Sequence, residues 1–195
     1  MRHDLTLAGT AFRLRPVRLE DAPLIVELRS DPDRSQYLHE TDPSVEAQER
    51  WLAAHFERAG DLYWAVERLA DGAVEGFVGI YDVDGGTAEW GRWVLRPGSL
   101  AAAESAWLVH EAAFTLLDLE SVFSRTLAEN RAVVAFHARY GAETVRTLPA
   151  YARIRGVDHD AVEARMSRSG WTTAGPGLRA MADRAAALAL RGRSR

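Results

Sequence analysis

The feature that most constrains the fold is a change of hydrophobic period in the middle of the chain. Residues favourable for β structure occupy positions 63–66, 77–81 and 88–95. Asp71-Gly72 and Gly85-Gly86 stand between these segments, and such pairs are typical of tight turns between strands. The pattern predicts three consecutive antiparallel strands, whose apolar face another element must cover.

A helical repeat follows the third of these strands, which ends at Arg96-Pro97-Gly98. Apolar residues then return every three or four positions, which is the spacing of an amphipathic helix. We expect this helix to pack on the sheet. Its apolar positions are Ala102, Ala106, Val109, Ala113, Leu116 and Leu117.

The remaining segments add strands and helices on both sides of this unit. Strand patterns occupy residues 12–18, 121–127 and 150–167, the last turning at Gly156, and helical patterns occupy 21–30, the stretch after Pro43-Ser44, and 130–140. We predict an α/β (α+β) fold, with a mixed, mostly antiparallel sheet of about seven strands flanked by helices.

The end of the chain is expected to be separate from the main domain. Residues 1–171 form the predicted domain, and residues 172–195 are interpreted as a linker, TTAGPG, followed by an amphipathic helix with a basic end, RGRSR. Whether this helix docks or is frayed stays open at this point.

Composition excludes several classes of function. The net charge of −4 disfavours a nucleic-acid partner, and the absence of cysteine excludes disulfides and thiolate metal sites. No apolar run approaches the ~20 residues of a membrane span, and the start MRHDLTLAGT lacks the core of a signal peptide. The six histidines show no H-x-x-x-H spacing, so we expect no metal and a cytoplasmic protein.

The strand-to-helix junction is a candidate anion site. Unpaired N–H groups and the helix dipole make such a junction suitable for a pyrophosphate, and small residues let a ligand approach the backbone. A plain turn, with alanines favoured for helix propensity, is the alternative. The candidate residues are Gly98, Ser99, Leu100, Ala101, Ala102 and Ala103.

The chain from Phe12 to Trp171 resembles the GNAT acetyltransferases. The resemblance rests on FRLRPVRLEDAPLIVELRSDP, EGFVGIYDV, AEWGRWVLRP, LAENRAVVAFHARYGAE and VDHDAVEARMSRSGW, which occur in the family's order. The branch with the ribosomal-protein N-terminal acetyltransferases RimJ and RimL is similar, as are amino-sugar N-acetyltransferases of surface-polysaccharide pathways. The resemblance implies an acetyl-CoA-dependent N-acetyltransferase that acts on a primary amine, as a monomer or homodimer.

The resemblance also implies where acetyl-CoA binds. In the family two strands splay apart, and the loop and helix after the first of them bind the pyrophosphate. The family loop reads Arg/Gln-x-x-Gly-x-Gly/Ala, whereas this chain has one glycine and places Leu100 where a glycine is usual. Backbone N–H groups around Val94 and Leu95 are expected to polarise the acetyl carbonyl. Asn130 is expected to contact the cofactor arm, or to cap the helix that follows it.

Two residues are candidates for the chemistry. Glu89 lies where the family has an acid, and a strand carboxylate with a raised pKa suits a general base; a solvent-facing carboxylate, or one paired with Arg92, is the alternative. His137 stands where the family motif has a tyrosine that protonates the departing thiolate. The alternative places His137 on the polar face of its helix, with Tyr140 or a water as the acid.

The acceptor side is predicted from a loop and one tryptophan. Tyr37, His39 and Glu40 correspond to the family's acceptor loop, with an ordinary surface loop as the alternative. Trp90 is a substrate platform or a core residue, and strand alternation places it opposite Trp93. We favour a nucleotide-linked amino sugar as acceptor, over a protein N-terminus and over a non-catalytic acyl-CoA-binding module.

Four further residues are interpreted as having no special role. Glu104 and Glu111 are expected on a solvated helix edge, and His55 and His110 are expected to be ordinary, partly buried histidines.

Overall fold

A computed structural model describes residues 3–191. Its strands form one eight-stranded sheet with the order β1-β2-β3-β4-β5-β6-β8-β7. The strands are β1 (Leu7–Ala8), β2 (Phe12–Pro16), β3 (Leu62–Arg68), β4 (Val74–Asp84), β5 (Thr87–Leu95), β6 (Ser121–Leu127), β7 (Glu143–Ile154) and β8 (Val157–Ser167).

Helices connect and cover these strands. A 3₁₀ turn, Leu19–Asp21, precedes the first α-helix, and a π-helical turn, Ala112–Leu116, extends the fourth. The helices are α1 (Ala22–Ser30), α2 (Pro32–Ser35), α3 (Val45–His55), α4 (Ala102–Glu111), α5 (Arg131–Arg139) and α6 (Arg168–Arg191). Among residues 3–191, no helix is long and apolar enough to cross a bilayer.

The sheet confirms the predicted architecture. Each neighbouring pair is antiparallel except β5 and β6, which run parallel with α4 between them in the chain. The predicted meander is β3, β4 and β5. The sheet has eight strands because the two-residue β1 also pairs, and β7 begins at Glu143, earlier than the sequence pattern predicted.

Two hydrophobic cores lie on opposite faces of the sheet. The larger core holds Trp64, Trp90 and Leu108, and includes apolar side chains of α4 and α6. The smaller core holds Ile25 and Leu52 from α1 and α3. Burial of these apolar faces is the main favourable contribution to folding.

The prediction of a linker at residues 172–177 is wrong. One helix, α6, runs from Arg168 to Arg191 and contains Pro176 on an exposed position. Trp171 and Leu178 are buried in the larger core, so the helix docks on the domain. The close packing of Gly175 on the Trp171 ring explains a glycine inside the helix, because a Cβ there would lie 3.0 Å from the ring. Most of the basic end, residues 192–195, lies outside the described residues.

Glu104 is also placed differently from the expectation of a solvated helix edge. Its side chain is buried and accepts hydrogen bonds from the backbone N–H groups of Thr10 and Ala11. These contacts fix the β1–β2 turn against α4. Glu111 is half-buried and accepts a hydrogen bond of 3.0 Å from Trp171 Nε1, while His55 and His110 are fully buried.

Docking of α6 is expected to contribute strongly to stability. Leu178→Ala should lower the free energy of unfolding by about 2–5 kcal/mol, because it removes a fully buried side chain and leaves a cavity. Leu188→Ala, on the same helix but 57% exposed, is the matched control. Denaturant unfolding measures both changes, and equal small losses would contradict the packing of α6 on the core.

Candidate active site

The sheet opens between two of its central strands. β5 pairs with β6 only at Thr87, Ala88 and Glu89. Beyond Glu89, no pairing joins the rest of β5, through Leu95, to β6. The strands therefore diverge and leave backbone groups of β5 available at the opening.

A β-bulge in β5 lies at this opening. Gly79 pairs with Gly91 and Phe77 pairs with Val94, so β5 carries one extra residue, and Arg92 has a φ of 49°. The prediction that Trp90 and Trp93 lie on opposite faces is wrong for this reason. Both pack against the larger core, with ring centroids 5.7 Å apart.

A glycine in β4 allows the two strands to approach beside the bulge. A Cβ on Gly76 would lie 2.1 Å from the carbonyl oxygen of Val94. Any other residue would therefore push β5 away and shift the opening.

Three adjoining cavities follow the opening. The first, of about 480 Å³, lies at the N-terminus of α4. The second, of about 210 Å³, lies between the diverging strands, and the third, of about 540 Å³, lies against α1 and α3. The first two share Tyr37, Leu38, Trp93, Asn130 and Val133. The second and third share Arg29, His39, Tyr81, Glu89, Arg92, Arg125 and Tyr151.

The first cavity brings together five of the residues predicted to hold the cofactor. These residues are Val94, Leu95, Gly98, Ala102 and Asn130. Asn130 also caps α5, since its side chain accepts a hydrogen bond from Val133 N–H, so both sequence interpretations of Asn130 are compatible with the structure.

Four residues of the predicted anion loop do not line this cavity. Ala101 and Ala103 are buried in the larger core. Ser99 Oγ accepts a hydrogen bond from the Ala101 N–H, and Leu100 is exposed. The alanines at 101 and 103 therefore serve packing, which alanine spacing alone could not distinguish from ligand contact.

Arg34 is a residue of the first cavity that the sequence analysis missed. Its Nε donates a hydrogen bond of 2.9 Å to the carbonyl oxygen of Leu95, and its guanidinium pairs with Asp31 at 3.0 Å. Arg34 thus connects α2 to the end of β5. Its guanidinium lines the cavity at the α4 N-terminus together with Arg96 and Asp33, and Asp31 offsets part of its charge. No local motif marks it in the sequence.

Glu89 lies where the second and third cavities meet. Its side chain is 6% exposed, accepts a hydrogen bond of 3.2 Å from Tyr81 Oη, and pairs with Arg125 at 3.0 Å. Arg92, the partner considered from sequence, pairs with Asp61 instead. Burial raises the pKa of Glu89 above its usual range, and this effect outweighs the opposite effect of Arg125.

Arg125 is a second residue that the sequence did not indicate. It bridges Glu89 to Glu163, whose carboxylate lies 3.1 Å from Arg125 Nε and also contacts Arg146. Tyr151, another residue shared by the cavities, has its ring 5.9 Å from the Arg125 guanidinium. These contacts come from three different strands, so only the folded sheet brings them together.

His137 is buried rather than placed on a polar helix face. Its Nδ1 lies 3.0 Å from Ser124 Oγ, and its Nε2 is buried without a hydrogen-bond partner among the described residues. Burial lowers the pKa of His137 to about 4, so the ring is neutral at pH 7. A protonated ring that gives its proton to the departing thiolate is therefore not present at pH 7, and a neutral imidazole lines the second cavity instead. Tyr140, the alternative acid, is buried and lines none of the three cavities.

The lowered pKa values of His110 and His137 predict acid sensitivity of the fold. A group with a pKa near 4 when folded and 6.5 when free takes up a proton on unfolding, so stability is lost as pH falls from 6.5 toward 4. His137→Gln should reduce this loss by about 3 kcal/mol at pH 4. Unfolding of both proteins across this pH range measures the difference, and parallel curves would contradict a neutral buried His137.

The predicted acceptor residues divide into three groups. Tyr37 and His39 line the second cavity, and His39 also lines the third. Glu40 lies outside the three cavities, where its carboxylate accepts a hydrogen bond from Arg155 N–H at the tip of the β7–β8 hairpin. Trp90 is 3% exposed and packs in the larger core beside His137, so it forms a wall of the second cavity.

The described residues contain no cluster of three or more His, Cys, Asp or Glu side chains that could hold a metal ion. The titratable groups at the opening include the Glu89–Arg125 pair and the neutral His137. A buried carboxylate beside a splayed strand can accept a proton from a bound amine.

Comparison with known families assigns the class of this site. The family model described as an acetyltransferase (GNAT) domain matches residues 12–143, more than half of the chain. The chain therefore belongs to the GNAT acetyltransferases, and its class of activity is N-acetyl transfer. No curated protein matches the chain.

Solved structures with the same fold are distant in sequence. A GCN5-related N-acetyltransferase from Brucella melitensis has 22% identity and a TM-score of 0.77, covering 91% of this chain and 85% of that one. Apo FdhC, a nucleotide-linked sugar GNAT, has 25% identity and a TM-score of 0.74, covering 88% and 94%. A variant of the spermidine N-acetyltransferase SpeG from Vibrio cholerae has 17% identity and a TM-score of 0.74, covering 84% and 98%.

Proposed function

We propose that this chain binds acetyl-CoA along the first and second cavities and acetylates a primary amine bound in the third. The observation that carries the proposal is the position of Glu89, a buried carboxylate shared by the second and third cavities. A group at that junction contacts both reactants when both are bound. Holding two reactants together in this way removes much of the entropic barrier.

The residues present fit an acyl-CoA. The N-terminus of α4 offers N–H groups and a helix dipole for a pyrophosphate, and Ala102 leaves space there. Arg34 and Arg96 line the same cavity, and each is paired with a carboxylate, Asp31 and Glu27 respectively. β5 beyond Glu89 has no pairing on its β6 side, so its backbone can bind an extended chain that carries amides. When bound, acetyl-CoA supplies the activated acyl group.

Glu89 serves in this proposal as the general base. A primary amine is protonated in water at neutral pH and must lose that proton before its nitrogen lone pair can form a bond to carbon; Glu89 accepts the proton directly or through a water. Arg125 and Tyr81 hold the carboxylate in place. The backbone N–H group of Leu95 faces away from β4 and stabilises negative charge on the acyl oxygen, whereas the N–H group of Val94 faces β4 and does not reach that oxygen.

His137 is proposed as the hydrogen-bond donor to the leaving sulfur. If the Ser124 hydroxyl donates to Nδ1, Nε2 of the neutral ring carries the hydrogen, and this buried atom has no partner among the described residues. The neutral ring of His137 can donate this hydrogen bond at pH 7 without first taking up a proton. The role therefore does not require a raised pKa of His137.

For the acceptor we retain a nucleotide-linked amino sugar as the first candidate. Support comes from the 25% identity to apo FdhC, which is itself a nucleotide-linked sugar GNAT. The spermidine enzyme, at 17% identity, is evidence for the fold alone. A protein N-terminus, as in the RimJ and RimL branch, stays an alternative.

An acceptor screen tests the proposed function. The purified protein is mixed with acetyl-CoA and single amines, including amino sugars with and without a linked nucleotide, polyamines and N-terminal peptides. We expect release of free CoA together with the N-acetylated product for at least one amine. CoA release without acetylated product, or with equal rates in Glu89→Gln, would contradict the proposal.

A further inference from the structure

An arginine without an acidic partner lines the proposed acceptor region. Arg29, on α1, contributes to the second and third cavities. Its hydrogen bonds run to the carbonyl oxygen of His39 at 3.0 Å and to Thr41 Oγ1 at 3.4 Å. Among residues 3–191, no carboxylate forms an ion pair with it. Donors at Nη1 are therefore available to a ligand.

A second guanidinium lies close by and increases the positive potential. Arg92 lines the same two cavities, and its charge acts together with burial to lower the pKa of Arg29. Arg92 pairs with Asp61, and its guanidinium lies 4.2 Å from the Tyr81 ring centroid. The carboxylate of Asp61 already contacts His55 and Arg58 as well, so it does not neutralise Arg29.

The acids of this region do not compensate for Arg29. Glu89 is paired with Arg125, and Asp42 and Asp82 are exposed at the rim of the third cavity. Asp42 accepts a hydrogen bond from the Ser44 N–H at the start of α3. Burying a guanidinium without an acidic partner has a free-energy cost, because the charge loses part of its hydration. An anion bound beside the guanidinium offsets that desolvation cost.

We propose that the acceptor amine carries an anionic oxygen group, a carboxylate or a phosphate, which Arg29 binds while Glu89 faces the amine. This inference rests on the proposed function for the identity of the acceptor cavity. It narrows the substrate class: an amine with an acid group in the same molecule fits, and a polycationic amine does not. Arg92 adds to the field that attracts the anion.

Binding of three small amines to the free protein, without acetyl-CoA, tests the proposal. Phosphoethanolamine, β-alanine and ethanolamine share a two-carbon spacing from the amine and differ in the group at the other end. We expect phosphoethanolamine or β-alanine to bind about tenfold to a hundredfold more tightly than ethanolamine, measured by calorimetry. The first two amines distinguish a phosphate from a carboxylate.

Variants of Arg29 assign the preference to this residue. The ratio of affinities should fall at least tenfold in Arg29→Gln and less in Arg29→Lys, which keeps the charge and loses the planar fork. Arg50→Gln, at an exposed position of α3 that lines none of the three cavities, is the matched control and should keep the ratio within twofold. Thermal unfolding shows whether Arg29→Gln is folded. If it is not, the affinity ratio measured with Arg29→Lys shows whether Arg29 sets the preference for an acidic amine.

Three results would overturn the inference. They are equal affinity for the three amines, no binding of either acidic amine to the wild type, and a preference that Arg29→Gln and Arg29→Lys leave intact. Arg29-dependent binding without any acetylation in the acceptor screen would instead count against the proposed function and leave this inference standing.

Discussion

Glu89→Gln is expected to lower kcat by about 10²–10⁴-fold at neutral pH, which is the usual contribution of a positioned base. The amide has nearly the same shape and keeps a hydrogen-bond acceptor for Tyr81, but it cannot take a proton. Loss of the charge also frees Arg125 from one partner. Steady-state rates of CoA release, with acetyl-CoA affinity measured separately, show whether the loss lies in the chemical step.

The pH profile gives a second signature of the same residue. Only the carboxylate form is a base, so activity of the wild type should fall as pH drops through the raised pKa of Glu89. The acid limb should lie above the range usual for a glutamate. In Glu89→Gln this limb should be absent. A limb that is unchanged in the variant would assign it to another group.

Glu163→Gln is the matched control for the loss of an ion pair. Glu163 contacts the same Arg125 and is also buried, yet it lines none of the three cavities. Glu163→Gln should lower the free energy of unfolding and leave the acid limb of the activity–pH profile in place. A loss of kcat equal to that of Glu89→Gln would mean that Arg125, rather than the base, carries the effect.

Ala102→Glu is expected to weaken acetyl-CoA binding by tenfold or more. Ala102 is the first residue of α4 and lines the first cavity, so the new carboxylate would occupy the anion site and repel a pyrophosphate. The same substitution at Ala101 would not test the site, because Ala101 is fully buried in the larger core. Calorimetric titration with acetyl-CoA measures the change.

Leu100→Glu adds the same charge two residues away. Leu100 is 39% exposed and lines none of the three cavities. We expect its effect on acetyl-CoA affinity to be severalfold smaller than that of Ala102→Glu. Equal effects would assign both to the net charge of the region, and the absence of an effect at Ala102 would contradict the pyrophosphate position.

The sequence predicted the fold well because the signals that define it are local. The period-two segments with their turn pairs became β3, β4 and β5, and the repeat after Gly98 became α4. The prediction of a linker near the end of the chain was wrong because it also relied on local sequence: Thr-Thr-Ala-Gly-Pro-Gly has the composition of a linker. The packing of Trp171 and Leu178 on the core outweighs that propensity.

The site could be predicted only in part, because most of its contacts join residues that are far apart in the sequence and meet only in the folded sheet. Glu89, Asn130 and Ala102 were found because they belong to family motifs. Arg125 and Arg29 were not found, since Arg125 contacts Glu89 from the neighbouring strand β6 and Arg29 enters the cavities from α1. The burial that makes His137 neutral is equally invisible in the sequence.

Titration of the wild-type protein with acetyl-CoA tests the central claim most directly. We predict saturable binding of one acetyl-CoA per chain, with a rise in melting temperature that follows mass action. Ala102→Glu should shift the titration to higher concentration. If the folded protein shows neither heat of binding nor a change in melting temperature at millimolar acetyl-CoA, the claim that this chain binds acetyl-CoA is contradicted.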